Sequence, residues 1–262
     1  MTTAAARARF NPAEAVSDAF HLGIREIRTS LRTPAYLLPN LLMPVFFFFF
    51  MTGSLGGFAE RFGLANFRAF ALPMTVLFAV TGGSAGLNMV ADIESGYFDK
   101  LLLTPASRLS LLAGAMTADF CRIVSQGLFI TVVALATGTE FVTGWPGVIV
   151  MLAIASLWGL GYSAIGFALA LKTGNPQVVG SMWAFQIPFV FLTTAFAPLE
   201  ALSGWLRTAA TYNPMTYVLR GLRSVSMVGW VANDVAVAVG VAAAFCALTI
   251  ALAFRALLGR VR

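Results

Sequence analysis

Six predominantly apolar stretches recur along this chain, each about 20 residues long and able to cross a hydrocarbon core about 30 Å thick. They occupy residues 35–57, 70–91, 113–137, 147–171, 178–197 and 232–254. A soluble fold has no use for so many, because it must present a charged surface to water. Composition agrees: 59 % of residues are apolar and 11 % charged, where soluble domains carry roughly 45–50 % and 25 %. The chain reads as an all-α membrane protein with six transmembrane helices, arranged as an N-terminal arm (1–33) and a single spanning domain (34–262).

Charge sets the expected orientation. With the N-terminus inside, twelve of the 17 Lys and Arg residues fall in cytoplasmic segments: five in the arm, then Lys100, Arg108, Arg122, Lys172, Arg255, Arg260 and Arg262. Arg61, Arg68, Arg207, Arg220 and Arg223 fall outside. The positive-inside rule therefore predicts that both termini are cytoplasmic, in a cell membrane. The net charge of +6 does not point to nucleic acid, since no basic cluster interleaves with aromatics to track a phosphate backbone. Residues 1–33 carry Arg7, Arg9, Arg25, Arg28 and Arg32 and no apolar core of a signal peptide, so the first span is expected to drive insertion.

The arm has a pattern of its own. Asn11-Pro12-Ala13-Glu14 is a helix start, with Asn as N-cap, Pro at N1 and Glu at N3. Val16, Phe20, Ile24, Ile27 and Leu31 then recur at helical spacing, with Arg25, Arg28 and Arg32 largely on other faces. Such a helix suits the inner membrane surface, and membrane lipids are its expected partner. Packing on a soluble partner would fit the same periodicity.

Two connections are too patterned to be simple turns. Residues 92–105 gather Asp92, Glu94 and Asp99 with Tyr97, Phe98 and Leu101–Leu103 on the cytoplasmic side, as a short amphipathic helix ending at Thr104-Pro105 would. Mixed charge with aromatics suits a protein-docking element. Residues 198–231 hold Trp205, Tyr212, Tyr217 and Trp230, with apolar stretches too short to cross. These fit a re-entrant or interfacial helical hairpin at the outer leaflet.

Catalytic chemistry is missing from the pattern. His21 is the single histidine, so neither a Ser/His/Asp triad nor a histidine-based metal site can be assembled in the spans. Cys121 and Cys246 lie in apolar segments and read as packing residues. The stretch Gly166–Thr173 has the Lys-Thr of a phosphate-binding loop but Leu171 where its second Gly belongs. If ATP is used, another chain binds it.

Within the spans, Asp119 and Arg122 can pair on one helix face, either at the cytoplasmic headgroup level or as a buried functional pair. Asn88, Gln126 and Gln186 are expected to make interhelical hydrogen bonds. Pro39, Pro44 and Pro188 can kink helices. Gly82-Gly83, Gly159, Gly161 and Gly166 permit close helix contact. Phe46–Phe50 read as lipid-facing or packing surface.

At the two patterned connections the chain resembles a known family. The stretch IESGYFDKLLLTPASRLSLLAG (93–114) is similar to the cytoplasmic loop and following helix of type-2 ABC exporter permeases. NPMTYVLRGLRSV (213–225) is similar to the element they carry before the last span. The nearest subgroup is the daunorubicin-resistance-like drug permeases; polysaccharide, teichoic-acid and lipid exporters also belong. The resemblance implies a transmembrane subunit that pairs with a second permease, identical or homologous, and with two ABC ATPase subunits that bind ATP and Mg. It makes Glu94, Gly96, Phe98, Asp99, Lys100 and Leu101 docking candidates on a coupling helix. The arm helix, with Phe20, Ile24, Arg25, Ile27, Arg28 and Leu31, would pack beside it. Asn213, Pro214, Tyr217, Arg220 and Arg223 would form the outer hairpin. Many relatives place a basic residue before the acidic run, where this chain has Val90-Ala91-Asp92. The implied cargo is a lipophilic drug, a lipid or a glycan. The rival readings are an integral-membrane lipid-processing enzyme, which needs regularly spaced carboxylates, and an ion-coupled secondary transporter, which needs ionisable groups near the midplane.

Overall fold

Backbone inside hydrocarbon must satisfy its own N–H and C=O groups, and among the described residues every regular element is a helix. The computed structural model describes residues 34–61, 66–82, 85–102 and 108–260. The amphipathic arm, with Phe20, Ile24, Arg25, Ile27, Arg28 and Leu31, lies outside them.

In chain order the helices are α1 (Pro34–Arg61), α2 (Phe67–Thr81), α3 (Ala85–Glu94), α4 (Tyr97–Leu102), α5 (Arg108–Ala136) and α6 (Gly144–Thr173). They continue with α7 (Pro176–Gly180), α8 (Met182–Phe191), α9 (Gly204–Tyr212), α10 (Pro214–Arg223) and α11 (Ala232–Arg260). A 3-10 turn (Leu199–Ala201) precedes α9 and a π turn (Ser224–Val228) follows α10.

Five stretches are long and apolar enough to span a membrane: Asn40–Gly57, Phe67–Glu94, Leu112–Ala136, Gly144–Thr173 and Ala232–Arg260. The remaining expected span, 178–197, is not one continuous helix. It breaks between α7 and α8 at Ser181, whose hydroxyl turns back to the Val178 carbonyl (2.8 Å). Pro188 within α8 supplies no N–H to continue the ladder, and the helix stops at Phe191. Its ten residues cover about 15 Å at 1.5 Å per residue, half of a hydrocarbon core.

Helix α2 lies innermost, with Leu72, Val76, Leu77 and Ala79 fully buried. It packs on α1, α5 and α6, while α6 makes its most extensive contact with α11. Trp158 of α6 is stacked on Phe245 of α11, ring centroids 4.3 Å apart. On α1, Phe48 is buried and Phe47 stacks on Phe78, whereas Phe46, Phe49 and Phe50 are exposed. The phenylalanine run therefore serves as packing surface on one face and as an outward apolar surface on the other.

Small residues set the helix spacing, since apolar side chains gain little by leaving lipid for a protein interior. A Cβ at Gly159 would stand 2.9 Å from the Val80 carbonyl oxygen, and one at Gly161 would stand 3.0 Å from the Cys246 Cα. Gly86 and Gly166, from α3 and α6, meet so closely that a Cβ at Gly86 would lie 2.6 Å from the Gly166 oxygen. At the other end a Cβ on Gly221 would lie 2.3 Å from that of Ala238 and 2.8 Å from the Asp234 oxygen. Substituting Gly221→Val should therefore separate α10 from α11 and destabilise the protein by about 1–3 kcal/mol, as overpacking does. A lowered thermal midpoint of the detergent-solubilised chain would show it, and an unchanged midpoint would refute the contact.

Candidate functional site

Two ends of the bundle and one buried cluster carry the polar residues. At the first end the chain leaves α3 through Ser95-Gly96 and re-enters helix at α4. The Ser95 N–H bonds to the Ala91 carbonyl (3.0 Å) and the Gly96 N–H to that of Ile93 (3.0 Å). Gly96 has φ +68°, the left-handed conformation that closes helix C-termini and suits Gly because it has no Cβ. The acidic residues Asp92 and Glu94 fall in the last turns of α3, the end where a helix dipole disfavours negative charge.

Exposure sorts the docking candidates. Glu94 and Lys100 are exposed and Tyr97 is half-buried. Phe98, expected on the open cytoplasmic side, is instead 3 % exposed and belongs to a buried cluster with Met89, Leu112, Met116, Phe167 and Leu257. Its side chain lies in a cluster built from α3, α5, α6 and α11 and is not exposed. The side chains of Asp99 and Leu101 lie outside those described. The same end gathers the C-termini of α6 and α11: Arg260 Nη1 donates to the Leu171 carbonyl (2.9 Å), and Gly174 adopts φ +57° as the cap of α6.

At the opposite end the short helices α9 and α10 follow one another and are joined at Asn213. The Asn213 Oδ1 accepts from the Met215 N–H (3.0 Å), capping α10, with Pro214 at the first helical position. The Asn213 Nδ2 donates to the carbonyls of Phe189 and Leu192 (2.9 Å each), which the end of α8 leaves open. Tyr217 donates to the Thr211 carbonyl (2.8 Å), and Arg220 pairs with Asp234 of α11 (3.0 Å). Arg223 turns inward, its guanidinium carbon 3.6 Å from the centre of the Phe70 ring. Its Nη1 donates to Thr194 O (2.6 Å), Nη2 to Ala195 O (2.8 Å) and Nε to Phe70 O (3.3 Å). The five residues picked out by resemblance all lie on α10 or at its N-cap. Met215, Val218, Leu219 and Leu222 of α10 are buried, and Trp205 and Tyr212 of α9 exposed.

Between the ends, α5 carries an ionic cluster. Arg122 Nε donates to Asp119 Oδ1 (2.6 Å) and Arg122 Nη1 to Gln126 Oε1 (2.7 Å). The Ser163 hydroxyl of α6 donates to Asp119 Oδ2. Asp119 and Arg122 are 6 % and 8 % exposed, so the pair lies within the packed bundle, which its spacing alone left open. Ser163 was missed because nothing in its local sequence marks it; contact with Asp119 arises only when α5 and α6 pack.

These features define a multi-pass helical membrane protein with a separately ordered polar element at each end. The profile of the ABC-2 type transporter family matches residues 18–227, and the chain belongs to that family as the transmembrane subunit of an ABC exporter. It is similar, at 27 % identity over 73 % of its length, to the transport permease ycf38 of Porphyra purpurea, 68 % of which is covered. Similar, too, is the daunorubicin resistance ABC transporter permease protein DrrB1 of Streptomyces coeruleorubidus, at 27 % identity over 72 % of this chain and 68 % of that one. Nodulation protein J of Rhizobium leguminosarum bv. trifolii is 25 % identical over 79 % of each chain. No solved structure matches.

Two outcomes follow from the site's geometry. Gly96→Ala should destabilise the α3–α4 turn by about 1–2 kcal/mol, the cost of a left-handed residue with a Cβ. Asn, which tolerates that conformation, should restore much of it, as read by amide hydrogen exchange at Lys100. Asp119→Leu alone should lose about 3–5 kcal/mol by stranding a buried guanidinium. Adding Arg122→Met should recover most of that loss in thermal unfolding.

Proposed function

We propose that this chain works as one of a pair of permease subunits joined to two ABC ATPase subunits, with α3–α4 as the coupling element. In this reading the Gly96 end and both termini face the cytoplasm, in the cell membrane. The chain has no nucleotide site of its own; ATP and Mg are held by the partner ATPases. The observation that carries the reading is the anchoring of α4: Glu94 and Lys100 stand exposed while Phe98 is locked into the buried cluster. A push on the exposed charges is therefore delivered to α5, α6 and α11 together. ATP-driven closure of the ATPases would then rock the two permeases as rigid bodies, and cargo would pass between them and out past α9 and α10.

The α9–α10 segment supports a re-entrant placement at the outer leaflet, because its helices are too short to cross and exposed Trp205, Tyr212 and Trp230 suit the headgroup level. With α7–α8 as a broken sixth crossing, both termini lie on one side, in keeping with the distribution of Lys and Arg. The resistance relatives favour a lipophilic drug as cargo over a lipid or a glycan. The ion-coupled alternative would require an available acid in the bundle, and Asp119 is already held by Arg122 and Ser163.

The tagged full-length chain, purified from its host in mild detergent, is expected to bring down an ATP-binding protein in stoichiometric amount. Glu94→Lys should lose most of that protein while retaining a normal elution profile. An ATPase that co-purifies equally with both would remove Glu94 from the docking surface. A clean preparation without any ATPase would overturn the reading altogether.

A further inference from the structure

A cleft of about 380 Å³ opens between α10, the 3-10 turn before α9 and the first turn of α11. Its volume falls within the roughly 300–1,000 Å³ typical of small-molecule sites. Glu200 and Arg220 on its rim are exposed, and Arg223 within it is half-buried. Phe70, Leu199 and Val228 supply apolar wall between them. The exposed Trp205, Tyr212 and Trp230 belong to the same end of the bundle.

Most polar groups here are spent on the protein itself. Thr211 donates to the Arg207 carbonyl, Tyr217 to that of Thr211 and Ser224 to that of Gly221 (2.8 Å each). Arg220 and Asp234 neutralise each other. Two charges are left over. Arg223 keeps its proton at physiological pH, yet the partners that hold its guanidinium are three carbonyls and a phenyl ring, all neutral. Those bonds use three of its five N–H donors and leave one on each Nη. Glu200 has no ion pair or hydrogen bond among the described residues. A cation and an anion thus line one cleft without pairing with each other.

A guanidinium with free donors is matched by the oxygens of a phosphate. A simple anion would satisfy Arg223 and be repelled by Glu200. A molecule that carries phosphate and ammonium on one short linker would satisfy both, since an ammonium has three donors to offer a carboxylate. Phospholipids carry such a group at the headgroup level, where exposed Trp and Tyr side chains concentrate.

We propose that this cleft binds a phosphoethanolamine group, with the phosphate on Arg223 and the ammonium on Glu200, carried by a phospholipid of the outer leaflet. The proposal goes beyond the exporter reading and rests on it only in placing this end at that leaflet. Lipid binding needs no ATPase, so the cleft can fail while the docking of Glu94 stands, and the reverse.

The test is native mass spectrometry of the full-length chain in detergent. It is titrated with dihexanoyl phosphatidylethanolamine, dihexanoyl phosphatidylglycerol and dihexanoylglycerol. The first is expected to bind saturably and about threefold tighter than the second, the worth of one exposed ion pair. The third, which has no phosphate, should not saturate. Glu200→Gln should make the two phospholipids equal, and Glu200→Lys should reverse their order. Glu140→Lys, an exposed acid of the same end outside this cleft, should leave the order unchanged. Arg223→Gln should lose both phospholipids, and the Glu200 variants decide the matter if it does not fold. Free phosphoethanolamine should compete weakly; competition as strong as the lipid's would keep the site and make its ligand a soluble ester. An unchanged order in Glu200→Lys, a reversal in Glu140→Lys, or equally tight binding of dihexanoylglycerol would overturn the proposal. So would a folded Arg223→Gln that retains both phospholipids.

Discussion

The Arg223 guanidinium joins three segments that lie far apart in the chain. It bonds the carbonyls of Phe70 near the start of α2 and of Thr194 and Ala195 beyond α8, while lying over the Phe70 ring. Its five donors and flat apolar face suit this task better than a lysine's point charge would. By fixing the chain after α8 to α2 and α10, it defines where the short helix ends. Asn213 completes the junction from the other side, taking the last carbonyls of α8 and capping α10 in the same stroke. Without these two residues the backbone groups released by stopping α8 short would be left open in an apolar region.

That shortened helix has consequences for the interior. A straight span through 178–197 would pack along its whole length. The segment instead bends at Ser181, carries Pro188 within α8, and leaves a cleft against α6 and α11 with Gln186 in its wall. The break and the cleft are thus two aspects of one feature. Close packing elsewhere makes the contrast sharper, since Gly159, Gly161 and the Gly86–Gly166 pair bring backbones nearly into contact.

In the proposed reading the other end transmits motion. Arg260 joins α11 to the end of α6, and Phe98 brings α4 into the buried cluster beside them. Interiors packed at such density pass on displacement instead of absorbing it. The ionic cluster of Asp119, Arg122, Gln126 and Ser163 links α5 to α6 within the same half of the molecule. Its removal one partner at a time is costly because each group is desolvated.

Hydropathy and length, both local properties, determined the membrane class, five of the spans and the positions of the two patterned connections. Gly159, Gly161 and Gly166 were also legible as close contacts, and short helices do fill 198–231, because composition and turn chemistry act over a few residues, whereas Gly86 and Gly221 gave no local signal. Resemblance in 93–114 and 213–225 pointed to the family, which the matched profile established. Tertiary structure decided what depends on a distant partner. Phe98 faces inward because four helix ends meet there. Helix α8 can stop at Phe191 because Asn213 and Arg223, more than twenty residues downstream, satisfy the carbonyls left open there. Asp119 is buried because Ser163 arrives from another helix, and Gln186 is left with one free oxygen because Thr81 has already given away its proton. A sequence states which groups need partners; only packing assigns them.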